Sequence, residues 1–213
     1  MRAPAHRASG ASAGRGAGAG LGPHAALLAV QLMFGTWPIF GKIVLRSLPS
    51  TGLVAIRLAG AAVAFALLKR FLPHGTVRRE HFPRLALYSL LGVFLNQLLF
   101  TKGLELSTAV NATLLASAIP VFTLLVSILM GHERATPLSW LGMALAAGGV
   151  ATLVNPFAAD FSGQHALGNL LIVANTVAYG AYIAVSQDMM RRYGALSVIT
   201  YMFAFGSLYA LPF

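Results

Sequence analysis

Seven long apolar segments follow one another along the chain, and the short stretches between them hold most of the charged residues. Each segment is close to the roughly 20 residues that an α-helix needs to cross about 30 Å of hydrocarbon. The pattern therefore predicts an all-α integral membrane protein, a multi-span helical bundle with about seven transmembrane helices. The predicted spans are residues 24–45, 53–72, 85–102, 108–130, 138–155, 167–187 and 195 to the end.

Proline and glycine positions refine these spans. Most prolines near the spans fall in or beside the gaps, where a missing amide N–H costs little. Pro38 and Pro120 lie inside the first and fourth spans, so we expect helix kinks at both. In the fifth span, Gly142, Ala146 and Gly149 share one face, which is typical of close packing between membrane helices.

Composition supports the membrane interpretation. The chain is 57% hydrophobic and only 9% charged, whereas a soluble domain carries about 25% charged residues. The net charge of +10 is explained by basic residues in the loops, so no nucleic-acid partner is needed to account for it. The chain has no cysteine, which excludes disulfides and thiolate metal sites within it.

The loops that hold the basic residues are those before the first span, between the second and third, and after the fourth and sixth. If the spans alternate in direction, all of these loops lie on one side, which the positive-inside rule assigns to the cytoplasm. Residues 1–23 are then a disordered cytoplasmic tail. A signal peptide is the less favoured alternative, because the first apolar segment is too long.

A comparison of the chain with itself indicates a weak internal repeat. It pairs Phe34 with Tyr179, and Trp37 with Tyr182. Five spans separate the two copies, so the second enters the membrane from the opposite side, as in the inverted repeats of secondary transporters. The last apolar run reaches Phe213 without a charged flank, so we expect about three further helices in a complete second repeat.

Residues 99–154 resemble the EamA family of the drug/metabolite transporter superfamily. The matching features are a short turn before the fourth span (Gly103–Ser107), a proline deep in that span (Pro120), an acidic-basic pair at its end (Glu133-Arg134) and a glycine-rich fifth span (138–155). The first two spans are also similar to this family, with Phe34-Gly35-Thr36-Trp37 and Arg57-Leu58-Ala59.

The resemblance implies a ten-helix bundle of two inverted five-helix repeats in the bacterial cytoplasmic (inner) membrane. It implies a secondary transporter, expected to be an exporter, that moves small metabolites, amino acids or drugs by alternating access. The domain organisation is then a tail (1–23), a first repeat (24–155) and the incomplete start of a second repeat (167–213). The expected partners are the lipid bilayer and a small-molecule substrate, and a homodimer is possible. Such efflux needs no cofactor.

The sixth span carries a polar and aromatic stripe. Asn175, Tyr179, Tyr182 and Ser186 follow the i, i+4, i+7, i+11 spacing that puts side chains on one helical face. One interpretation is hydrogen bonding between helices, and the other is the lining of a substrate cavity.

Further substrate-path candidates lie in other spans. Phe34 and Trp37 occupy the equivalent positions of the first span, where they form either an aromatic cavity wall or ordinary core packing. Near mid-span, uncharged hydrogen-bonding groups face either a substrate or a neighbouring helix. They are Asn96 and Gln97 in the third span, and Asn111 and Ser117 in the fourth.

Four charged residues lie in or at the ends of the spans. Lys42 and Arg57 are either attraction sites for anionic substrates or topological anchors. Lys102 is near enough to a helix end to extend its charge to the interface. Glu133 pairs either with Arg134 or with a basic residue of another loop, and such a pair would make it a gate or a structural clamp.

The sequence carries no pattern for catalysis or metal binding. All acidic residues lie at or near span ends, the histidines show no ligand spacing, and there is no Walker motif. We therefore predict no catalytic residue and no metal site. Two alternatives to a transporter remain: a truncated, non-transporting subunit that needs a partner, and a membrane-embedded enzyme that acts on lipid-linked substrates.

Overall fold

The computed structural model describes residues 21–154 and 164–212, in which the regular elements are all helical. A 3-10 turn, Arg79–His81, precedes the third α-helix, and a π-helical segment, Leu90–Leu95, joins the third to the fourth. The α-helices of the described ranges are α1 (Leu21–Val44), α2 (Ser50–Phe71), α3 (Phe82–Ser89), α4 (Asn96–Leu106), α5 (Ala109–Ala116), α6 (Ile119–Leu129), α7 (Pro137–Val154), α8 (Gln164–Tyr193) and α9 (Ala195–Ala210).

These helices confirm the multi-span prediction. Two shorter apolar helices, Pro137–Gly148 and Ala195–Ala210, occupy the fifth and seventh predicted spans. Five longer stretches within the described ranges are long and apolar enough to cross a bilayer: His24–Val44, Ser50–Phe71, Arg79–Leu106, Ala109–Leu129 and His165–Tyr193.

Most of the predicted N-terminal tail lies outside the described residues, as does most of the loop before α8. However, α1 begins at Leu21, so the last part of the predicted tail, up to Pro23, is helical. Pro23 falls in the first turn of α1, where its missing N–H breaks no helical hydrogen bond, and helix ends shift easily by one or two residues.

The two prolines inside spans have different effects. The fourth span is interrupted between α5 and α6, and Pro120 lies in the first turn of α6, where its missing N–H breaks no helical hydrogen bond. By contrast, α1 continues as helix through Pro38. Elsewhere, Gly194 separates α8 from α9 with a φ of 80°, a conformation that glycine adopts without strain.

The described residues fall into two compact units, 21–36 and those from Trp37 onward. Among the described residues, the first unit is represented by the N-terminal part of α1. The second unit contains the rest of α1 and all the other helices.

Within the second unit, α8 packs against α4, α5 and α6, while α9 packs against α2 and α3. Two apolar clusters are buried in this unit. One joins α2, α3, the π-helical segment and α9 to α8, and the other joins α4 and α5 to α8. The fully buried members are Val54, Leu58, Leu85, Val198 and Met202 in one cluster, and Leu104, Ala112 and Ile172 in the other.

Glycines allow α8 to approach its neighbours closely. A Cβ added to Gly168 would lie 2.8 Å from the carbonyl oxygen of Gly103 in α4, and one added to Gly180 would lie 2.9 Å from the backbone nitrogen of Thr123 in α6. The close packing expected from the glycines of the fifth span is not found at Gly142, where an added Cβ would meet no atom within 4 Å. The close backbone contacts between helices at these glycines therefore involve α8.

Candidate functional site

A cavity of about 500 Å³ lies along the C-terminal half of α8, beside α9. Tyr179, Tyr182 and Ser186 of the predicted stripe all line it, and Gln187 and Arg191 extend the lining towards the end of α8. The stripe shares this cavity because its members lie three and four residues apart, on one face of the helix.

Tyr182 forms a packed wall of this cavity. It is only 8% exposed, and its hydroxyl donates to the Sδ of Met202 in α9, at 3.7 Å. Its ring lies directly on Gly92, where a Cβ would overlap the ring atoms. Gly92 belongs to the π-helical segment, an irregularity that often occurs at functional sites and that the sequence pattern did not reveal. The Tyr179 ring continues the wall, with 5.5 Å between the ring centroids.

Asn175 has a different environment from the rest of the stripe. Its side chain is 2% exposed, and its Oδ1 accepts a hydrogen bond from Nδ2 of Asn96 at 2.8 Å. The bond joins α8 to α4 within the apolar interior. Asn175 thus fits the interpretation of hydrogen bonding between helices. The three residues that follow it line the cavity, and one of them, Tyr182, also bonds to a neighbouring helix.

The Asn96–Asn175 bond should give a measurable coupling. In a double-mutant cycle with Asn96→Ala and Asn175→Ala, we expect a coupling free energy of about 0.6–1.7 kcal/mol, measured from unfolding in mixed detergents. The neighbouring Gln97 is half-buried and forms no side-chain hydrogen bond with a described residue. A cycle that pairs Gln97→Ala with Asn175→Ala should therefore give a value near zero, and equal values in the two cycles would contradict this assignment.

A second polar cluster lies near the start of α8. Asn169 accepts hydrogen bonds from Oγ of Ser107, at 2.5 Å, and from Nδ2 of Asn111, at 3.4 Å. Asn111 therefore lies near a helix end rather than at mid-span, because the fourth span begins only at Ala109. Asn169 was not among the predicted site residues, although an amide inside an apolar span was a usable signal.

Ser117 is exposed, and its hydroxyl donates to the carbonyl oxygen of Leu114 in its own helix at 2.6 Å. This bond lies at the interruption before Pro120, where carbonyl groups lose their helical partners. The Ser117 hydroxyl thus satisfies a carbonyl group at the end of α5, and it forms no hydrogen bond with another helix of the described ranges.

The ammonium group of Lys42 caps the C-terminal end of α4. Its Nζ donates to the carbonyl oxygens of Leu104, at 2.8 Å, Glu105, at 2.9 Å, and Ser107, at 2.5 Å. An ammonium group has three donors, so all of them are used. This geometry favours the anchor interpretation of Lys42 over attraction of an anionic substrate.

Lys102 and Glu133, two more of the charged candidates, are exposed. Lys102 forms an ion pair with Glu105 at 3.0 Å, one turn along the same helix. Glu133 follows α6 and forms no ion pair with any residue in the described ranges, Arg134 included. The described residues therefore give no support to a clamp at Glu133.

Arg57 lies over the indole ring of Trp37, with 3.6 Å between its Cζ and the ring centroid. The Nη1 of Arg57 is buried and has no hydrogen-bond partner among the described residues. Phe34, the other aromatic candidate of the first span, is 64% exposed. The structure thus brings Trp37 to a charged group and not to the cavity beside α8.

Basic residues gather where α2 and α8 end and α3 begins. Nζ of Lys69 lies 4.2 Å from the ring centroid of Tyr201, and Arg192 contacts Nε2 of His81 at 3.5 Å. The Arg191 end of the cavity belongs to the same region. The described residues contain no group of three or more potential ligands that could hold a metal ion.

The proteins to which this chain is similar are named as transporters. The profile of the EamA-like transporter family matches residues 22–155. The uncharacterized transporter YetK of Bacillus subtilis (strain 168) is 25% identical over 198 residues, which are 91% of this chain and 60% of that protein. A probable terminal-alkyne amino-acid exporter of Streptantibioticus cattleyicolor is 29% identical over 161 residues, which are 76% of this chain and 53% of that protein.

An uncharacterized transporter of Archaeoglobus fulgidus is 27% identical over 196 residues, 89% of this chain and 66% of that protein. The chain thus spans between 53% and 66% of the length of these three curated relatives. No solved structure matches it.

Proposed function

The chain belongs to the EamA-like transporter family, and from this membership we propose that it carries the substrate path of a secondary transporter that exports small amphipathic molecules. The family and the transporter-named relatives support a multi-pass membrane transporter rather than an enzyme. Export, the substrate class and alternating access are the parts that we propose.

The cavity beside α8 is the observation that carries this proposal. Its volume of about 500 Å³ lies within the range of about 300–1,000 Å³ that small-molecule sites occupy. Its walls are mainly aromatic and aliphatic, and Ser186, Gln187 and Arg191 add a few polar groups. Such a lining suits a ligand with both an apolar body and a polar end.

Helix packing supports an alternating-access mechanism. In our proposal residues 24–155 form the first repeat, and α8 and α9 begin the second. Both helices pack directly against helices of the first repeat, so a movement of one repeat against the other would change the width of the cavity. The basic residues at the Arg191 end of the cavity lie on the side that we assign to the cytoplasm, so substrate would enter the cavity from within a bacterial cell.

An amino acid with an apolar side chain is the first substrate to test, because one relative is named as a probable terminal-alkyne amino-acid exporter. Propargylglycine has that structure. In cells preloaded with it, we expect expression of this chain to increase efflux, measured by filtration and mass spectrometry. Unchanged efflux with the chain present in the membrane would favour the alternative of a subunit that needs a partner.

A matched pair of tryptophan substitutions tests the cavity itself. Gln187→Trp should fill it and reduce efflux by about tenfold, because Gln187 is exposed and lines the cavity. Asp188 is also exposed but is not part of the lining, so Asp188→Trp should leave efflux near the parental level. Equal efflux by both variants, at equal membrane levels, would argue against this cavity as the substrate path.

A further inference from the structure

Arg57 places a guanidinium group inside an apolar helix. It lies seven residues after the start of α2 at Ser50, about 10 Å along the helix axis. On insertion scales a charge at the bilayer centre costs about 2.5–3.5 kcal/mol, and such groups are normally paired with one another or with carbonyl groups. The partners of Arg57 therefore indicate its role.

The contact with Trp37 does not satisfy the hydrogen-bond donors of this group. The Cζ of the guanidinium lies 3.6 Å from the ring centroid, a cation–π contact that gives its N–H donors no hydrogen-bond acceptor. One of these donors, Nη1, is buried and unpaired among the described residues. A buried donor without an acceptor costs about 1–3 kcal/mol, more when it is charged.

The described acidic residues do not supply the missing acceptor. Glu80 and Glu105 form ion pairs with other basic residues, and Glu133 and Asp188 are exposed and form no ion pair with Arg57. Lys42, another cation within a predicted span, has carbonyl oxygens for all of its donors. Arg57 therefore differs from Lys42 in having a donor left for a ligand.

We propose that Arg57 and Trp37 form a binding site for the carboxylate group of a small molecule. A guanidinium offers parallel N–H donors that match the two oxygens of a carboxylate, which an ammonium does not. The indole ring holds the guanidinium by a cation–π contact and adds an apolar surface beside it. Neither residue lines the cavity beside α8, so this is a second site, beyond the proposed substrate path.

Fluorescence of Trp37 reports directly on this site. The chain has two tryptophans, and Trp140 is 53% exposed, so Trp140→Phe leaves Trp37 as the only indole. We would titrate this variant, in nanodiscs of phosphatidylcholine, with phenylacetate and with its neutral analogue phenylacetamide. We expect a saturable change in emission with phenylacetate, and binding of phenylacetamide at least about tenfold weaker, a difference of about 1.4 kcal/mol.

Substitution of arginines gives the second comparison. Arg57→Gln should weaken phenylacetate binding by about tenfold or more, whereas Arg46→Gln, at an exposed position, should not. Equal responses to acid and amide, or no response to either, would overturn the proposal. The acid-amide contrast in the Trp140→Phe chain stays decisive even if Arg57→Gln fails to fold.

The headgroup of a lipid such as phosphatidylserine is a second source of a carboxylate group. In nanodiscs that also contain phosphatidylserine, unchanged affinity for phenylacetate would assign the site to a soluble carboxylate. Emission that shifts with phosphatidylserine and then no longer responds to phenylacetate would assign it to lipid and contradict a small-molecule site. Because this measurement requires no transport, a chain that binds phenylacetate but exports no propargylglycine would contradict only the proposed function.

Discussion

Replacing Gly168 by alanine is expected to lower the unfolding free energy by about 1–3 kcal/mol. The new Cβ would lie 2.8 Å from the carbonyl oxygen of Gly103, and equally close to backbone atoms of Leu106 and Ser107. These are backbone atoms, which cannot rotate away as a flexible side chain does. To relieve the overlap, α8 must separate from α4, and the separation weakens packing along both helices.

Gly142 provides the matched control. It also lies inside a helix, α7, but a Cβ there would meet no atom within 4 Å. Gly142→Ala should therefore leave stability unchanged or raise it by up to about 1 kcal/mol, since alanine favours helix. Both variants can be compared by far-ultraviolet ellipticity during unfolding in mixed detergents. If they lose equal stability, close approach of α8 to α4 is not what Gly168 provides.

Lys42→Met should lower the unfolding free energy by about 2–3 kcal/mol, because hydrogen bonds to charged groups are stronger than neutral ones. The methionine keeps the length of the side chain but removes all three donors to the carbonyl oxygens at the end of α4. These carbonyls have no further turn of helix to bond to. Loss of the ammonium should therefore fray the end of α4 and loosen its contact with α1.

Lys102→Met removes the same charge from the same end of α4 and serves as the control. The ion pair of Lys102 with Glu105 is exposed, and exposed pairs contribute about 0–1 kcal/mol. Hydrogen exchange at the amides of Leu106 and Ser107 should increase in Lys42→Met and stay close to parental in Lys102→Met. Comparable exchange in the two variants would mean that only the charge matters, and not the bonds to the carbonyl oxygens.

The helices could be predicted from the sequence because each span is set by a local quantity, the length of apolar chain that crosses the hydrocarbon. The shared face of Tyr179, Tyr182 and Ser186 was predictable for a similar reason, since helical geometry fixes it without reference to other helices. The helix interruption before Pro120 also follows from chemistry that acts within one turn.

The partners of the polar groups could not be predicted in this way. Asn96 and Asn175 are 79 residues apart, and nothing in the periodicity of either helix indicates which amide faces which. The same is true of Lys42 and Arg57, two cations in apolar helices with different surroundings. The packing of neighbouring helices gives Lys42 three carbonyl oxygens and gives Arg57 an aromatic ring and an unpaired donor.

The central position of α8 also determines the order in which the bundle can assemble. Because α8 fills the space beside α4, α5 and α6, those helices have no complete packing partner when they leave the ribosome. About 64 further residues separate the end of α6 from the end of α8, which takes roughly 3–13 s at a synthesis rate of about 5–20 residues per second. During this interval lipid chains must cover the surfaces around Gly103 and Thr123, and the insertion of α8 displaces that lipid.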